Sequence, residues 1–72
     1  MSLNIGDLKS GTVVVNDKHK TEEVIDGIGK IKINGEWVSG VFYHGIDRFT
    51  GELCLFARET KDFIKDFTLK TE

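Results

Sequence analysis

The chain of 72 residues has one cysteine and no proline. A single thiol cannot close an intrachain disulfide, and no Cys/His cluster offers a structural metal site. Stability must therefore come from apolar burial, in a chain short enough to have little margin. Dimerisation enters at once as a way to bury more surface. No sign of charge dominates: ten Lys and Arg face twelve Asp and Glu, for a net charge of −2. That balance is not the footprint of a general nucleic-acid binder, although it leaves room for a local basic patch. No run is long and apolar enough to span a membrane. The N-terminus lacks the basic-then-apolar pattern of a secretory signal. With the lone cysteine, these features lead to the expectation of a cytoplasmic protein. The length fits one domain over residues 1–72. Met1-Ser2-Leu3 is open to being either native sequence or a vector remnant.

What is present is centred on Lys30 to Tyr43, where two alternating runs flank Asn34-Gly35. Asn and Gly both tolerate positive φ, which a type I′ turn needs at its two central positions. That turn fixes a register. Ile33 faces Glu36, Ile31 faces Val38, Gly29 faces Gly40 and Gly27 faces Phe42. Period two then places Ile31, Ile33, Val38 and Phe42 on one side, the better candidate for the core face. The other side pairs Lys32 with Trp37, Lys30 with Ser39 and Ile28 with Val41, and ends at Tyr43. Gly27, Gly29 and Gly40 suggest bulges or barrel corners, with a bulge near Gly40 moving later residues across the sheet. On that reading Trp37 and Tyr43 are core or corner residues. The sharper alternative is an exposed aromatic pair beside Lys30 and Lys32.

Around the hairpin, Thr12 to Val15 is β-branched and reads as a buried strand. Before it, Ile5 and Leu8 flank a Gly6-Asp7 turn as core-edge anchors. Residues 16–20 are polar and form a loop. Thr21 to Gly27 fits either one helical turn or an extended lead into the hairpin, and the extended form suits a long bent strand better. Glu52 to Arg58 is a strand whose two faces both look buried. Thr60 is a candidate N-cap for a short helix with Phe63, Ile64 and Phe67 on its apolar stripe. The tail can add an edge strand through Leu69. The fold class expected is mainly β: a small SH3-like barrel, or a strongly curved antiparallel sheet, with a short C-terminal helix.

The second half carries Trp37-x-x-Gly40-Val41-x-Tyr43, then Gly51-Glu52-Leu53, Phe56-Ala57-Arg58 and Phe63-x-x-x-Phe67. These segments resemble a class of small bacterial and phage proteins of unknown function with an SH3-like β-barrel. The resemblance implies an accessory protein and no catalytic residues.

Candidate chemistry is sparse. Cys54, His44 and Asp47 contain the residue types of a nucleophilic triad, but a Cys between leucines in an inner strand is normally an inert hydrophobe. Asp17, His19, Glu22 and Glu23 lie close in sequence without a recognised metal spacing, and read as solvated loop charge. Gly27-x-Gly29 leads into a strand and is no phosphate loop. No metal, cofactor or enzymatic activity is expected. Two binding functions stand out, with a small hydrolase built on Cys54, His44 and Asp47 as the third reading. A protein-interaction module would use Trp37, Tyr43 and the loop residues Ile46, Arg48 and Phe49, with a protein partner or a second copy as homodimer. Phe49 is read as a plug over the barrel end, or as an exposed anchor. A nucleic-acid-binding small barrel would use Lys30, Lys32, Trp37 and Tyr43.

Overall fold

A computed structural model describes residues 3–70. Met1 and Ser2, two of the three residues open to being native sequence or a vector remnant, lie outside the described residues, as do Thr71 and Glu72. Leu3 is buried in the core.

A single turn of 3-10 helix at Ile5–Asp7 precedes five strands and one helix: β1 Val13–Asn16, β2 Glu22–Ile33, β3 Glu36–Ile46, β4 Leu53–Glu59, α1 Thr60–Asp66 and β5 Phe67–Leu69. All described pairings are antiparallel, in the order β4-β3-β2-β1-β5. β4 and β5 are the two edges and do not meet. The sheet is strongly curved but does not close into a barrel, so of the two architectures expected the curved sheet is the one formed. The extended reading of residues 21–27 holds from Glu22 onward, and Leu69 does add an edge strand.

The central turn behaves as its residues require. Asn34 and Gly35 both have positive φ, 51° and 84°. The pairing then follows the turn-derived register from Ile33–Glu36 back to Gly27–Phe42. There it breaks: Ile25 pairs with Tyr43 while Gly27 pairs with Phe42, leaving Asp26 as a bulge on β2. The bulge expected near Gly40 is on the other strand. It lets Ile25 share a face with Tyr43, although the turn alone would have put it on the opposite side.

That break bears on the core. The face expected to be buried, with Ile31, Ile33, Val38 and Phe42, is the outer one. Ile33 and Phe42 are exposed there, and Ile31 and Val38 half-buried. What cover they have comes from each other's glycines: the Phe42 ring lies over Gly29, and Ile31 over Gly40. The core forms on the opposite face, where Val41 and Tyr43 of β3 join Ile25 of β2 and Val14 of β1. Leu3 and Leu8 close it from the N-terminal segment, α1 delivers Phe63, and Phe67 joins it as the first residue of β5.

The stripe expected on the helix is split: Phe63 lies on α1, while Phe67 is extended and opens β5, yet the two rings still meet. Phe63 stacks on Phe67 at 4.2 Å between centroids and meets the Tyr43 ring at 4.9 Å. Thr60 is not the N-cap; Glu59 holds that place, and the Thr60 hydroxyl pairs with Ser39 Oγ at 2.8 Å. Arg58 ties β4 to the end of α1, donating from Nη1 to Asp66 Oδ2 at 2.7 Å.

Several burial expectations fail for one reason: the missing barrel wall. Trp37 is 65% exposed because neither β1 nor β4 pairs with residues 26–39 of the hairpin. β4 is an edge strand, not an inner one. Cys54 is half-buried and Leu53 and Leu55 lie largely in solvent. Ile5 is 71% exposed, leaving Leu8 as the anchor of its turn. Phe49 is not a plug.

Candidate functional site

The strand ends beyond Tyr43 and the loop after β1 form a cleft on the core side of the sheet. It has a volume of about 180 Å³. Tyr43, Phe56 and Phe67 form its apolar wall, and Arg48, Phe49 and Arg58 its charged and aromatic rim.

The 47–51 turn is built by its aspartate. Asp47 Oδ1 accepts from the amides of Phe49, at 2.7 Å, and Thr50, at 3.3 Å. The Gly51 amide donates to the Asp47 carbonyl at 2.7 Å, and the Asp47 amide to the Glu52 carbonyl at 2.8 Å. Gly51 supplies the positive φ of 76° that closes the turn. On this braced loop Phe49 stands 83% exposed, with the Arg48 guanidinium 4.7 Å from its ring centroid. An ordered loop presenting an arginine and an aromatic costs little entropy on binding.

Across the cleft, Asn16 organises the β1–β2 loop. Its Oδ1 accepts from the amides of Lys18 and His19 at 2.9 and 3.0 Å. His19 is held below its ordinary pKa by partial desolvation, then by the positive charges of Arg48, Lys18 and Arg58. The charged side chains lining the cleft are of both signs: Arg48 and Arg58, the latter paired with Asp66, and Asp47 and Glu23.

The floor holds Glu23, only 7% exposed. Its stem lies over Gly45, where a side chain would collide with it; a Cβ there would stand 2.7 Å from Glu23 Cγ. Thr21 Oγ1 donates to the carboxylate at 3.3–3.4 Å. Desolvation raises the Glu23 pKa, against the pull of the Thr21 hydroxyl and Arg58. Burial likewise raises the Tyr43 pKa, with Arg58 pulling the other way. The expectation of solvated loop charge fails for Glu23, which lies buried on β2. Period two was the signal to the contrary, because it places Glu23 on the same side of β2 as Ile25.

Of the residues chosen from sequence, Tyr43, Arg48, Phe49 and Ile46 meet at this cleft. Trp37, Lys30 and Lys32 do not. They share one face of the hairpin arm, with Lys32 Nζ 5.7 Å from the Trp37 ring centroid. Cys54 and His44 occupy opposite faces of the sheet, since Cys54 pairs with Gly45 and His44 with Leu55. His44 Nδ1 is bonded instead to Asp26, at 2.9 Å. Among the described residues, no three of His, Cys, Asp and Glu converge as metal ligands, and no helix is long and apolar enough to cross a membrane. No protein-family model, curated protein or solved structure matches this chain.

Proposed function

We propose that the protein is a non-enzymatic interaction module whose cleft receives an extended segment of a partner protein. The observation that carries this reading is Phe49: a large aromatic held in solvent by a hydrogen-bonded turn, at the rim of a preformed cleft. Exposed aromatic and arginine residues of this kind dominate protein interfaces. The cleft is smaller than the roughly 300–1,000 Å³ of small-molecule sites, and suits one apolar side chain better. Arg48, whose guanidinium lies over the Phe49 ring at the rim, favours an acidic neighbour on that segment. Glu23 is placed to accept an N–H from it. The resemblance to small bacterial and phage proteins supports an accessory role of that type.

The test is selection of a displayed random-peptide library against the wild-type protein, with rebinding to Phe49→Ala and Arg48→Glu. The expected peptides share an apolar residue beside acids and lose at least about tenfold in affinity on either substitution, the scale of one interface anchor. Peptides that bind Phe49→Ala as well as the wild type would contradict the assignment.

A second reading rests on the hairpin arm. The exposed Trp37, with Lys32 over its ring and Lys30 on the same face, is a stacking platform beside positive charge. A single-stranded oligonucleotide should then quench Trp37 emission in a salt-dependent way that Lys30→Glu with Lys32→Glu abolishes. Quenching unchanged in the double variant would remove this reading.

A further inference from the structure

The cleft holds one group that the chain leaves short of partners. Glu23 is only 7% exposed and lines the cleft, its stem laid over Gly45. A carboxylate can accept at about four lone-pair sites. Glu23 receives one side-chain donor, the Thr21 hydroxyl, shared between its two oxygens at 3.3 and 3.4 Å. Both contacts are long for an O–H donor, whose usual distance is about 2.7–2.8 Å. Among the described residues no cation forms an ion pair with it, and Arg58 is bonded to Asp66 instead. A charge this buried is ordinarily paired and fully hydrogen-bonded. A bound group that donates to Glu23 would complete it.

The surroundings narrow the chemistry of that donor. The adjoining wall is aromatic: Tyr43 packs against Phe56 at 5.3 Å and Phe67 at 5.5 Å between centroids. At about 180 Å³ the cleft exceeds the roughly 150 Å³ cavity that takes up benzene, so it admits one ring-sized side chain. A cationic donor is disfavoured, because Arg48 and Arg58 line the same cleft. A main-chain amide of a docked segment stays near the rim, out of reach of a carboxylate so little exposed. The donor is then carried on the ring itself. A phenol oxygen would bring its own lone pairs against the carboxylate, and a neutral imidazole would leave a second nitrogen to be satisfied. The indole N–H of tryptophan only donates, as the carboxylate only accepts. Resting on the reading of the cleft as a peptide-docking site, we infer that the side chain it takes from the partner is a tryptophan. Its ring lies against Tyr43, Phe56 and Phe67, and its N–H donates to Glu23.

Titration of the protein with N-acetyl-tryptophanamide, its indole-N-methylated counterpart and N-acetyl-tyrosinamide, followed by backbone amide chemical shifts, tests this. The tryptophan amide should shift Gly45 and Phe49. It should bind at least about tenfold more tightly than either of the other two, the scale of a hydrogen bond to a buried charge. In a Glu23→Leu variant with unchanged far-UV circular dichroism, binding should persist and the preference over the methylated probe should vanish. Should that variant fail to fold, the three probes on the wild type decide alone. Equal affinity for the tryptophan amide and its methylated counterpart would overturn the inference. So would tighter binding of the tyrosine amide, a preference undiminished in the folded Glu23→Leu variant, or no shift at the cleft with any probe. The docking reading fails separately, through peptides that bind Phe49→Ala as well as the wild type. Selected peptides that need Phe49 but carry no tryptophan would leave that reading standing and overturn this one.

Discussion

Replacing Phe63 by leucine should destabilise the protein by an amount the ring geometry sets. The side chain is fully buried, stacked on Phe67 at 4.2 Å and tilted against Tyr43 at 4.9 Å. Leucine keeps much of the apolar area but loses both ring–ring contacts, each worth about 0.5–1.5 kcal/mol. The expected loss is therefore about 1–3 kcal/mol. A chain of 72 residues has a total stability of roughly 4–10 kcal/mol. The leucine variant should still fold, whereas Phe63→Ala, at about 3–5 kcal/mol, approaches the whole margin. Urea unfolding at fixed protein concentration, followed by far-UV circular dichroism, is the assay. Trp37 emission would be a poor reporter, because the exposed arm lies away from this core. With a slope near ~1 kcal/mol/M for a small domain, the midpoint should fall by roughly 1–3 M. Ile5→Ala is the control: its side chain lies in solvent, so the change should stay within about 0.5 kcal/mol. A Phe63→Leu midpoint within error of wild type, or an equal loss from Ile5→Ala, would refute the placement of the core.

Other substitutions probe the turn and the cleft floor. Gly35→Ala forces a side chain onto a φ of 84° and should cost about 1–2 kcal/mol in the same urea assay. Gly45→Ala puts a Cβ 2.7 Å from Glu23 Cγ; displacing that stem should cost about 1–3 kcal/mol and weaken peptide binding at the cleft. Glu23→Gln should raise the melting temperature at neutral pH. Burial raises the folded-state pKa of Glu23, so its contribution is most favourable below the unfolded value and is lost as pH rises through the folded one. The advantage of glutamine should therefore vanish in melts below about pH 4, where Glu23 is protonated in both states. An equal advantage at pH 4 and pH 7 would exclude ionisation as its cause.

The hairpin register was legible because a tight Asn-Gly turn dictates every pair beyond it until a bulge intervenes. The order of β1 to β4, and Phe63 and Phe67 as core aromatics, were legible too, from sequential pairing and local periodicity, whereas the pairing of β5 with β1 was not. The core face was not. Both faces of β3 carry large apolar side chains, so alternation alone does not choose between Phe42 and Tyr43. The choice is made at a distance, by the Asp26 bulge and by where α1 lays Phe63. Closure was misjudged for a related reason. Gly29 and Gly40 looked like corners, but they make room for Phe42 and Ile31 on the outer face. At the cleft, Tyr43, Arg48 and Phe49 could be chosen by residue type. Glu23 could be found only by following the alternation from Ile25 back through a segment that looked like a charged loop.

Both surfaces described here depend on Tyr43, not Phe42, facing the helix. Proton–proton Overhauser contacts among the aromatic rings measure this directly. The Tyr43 ring protons should show contacts to Phe63, Phe67 and Phe56, and the Phe42 ring to the α-protons of Gly29. Contacts from Phe42 to Phe63, with Tyr43 silent, would invert the sheet and contradict both the cleft and the outer face.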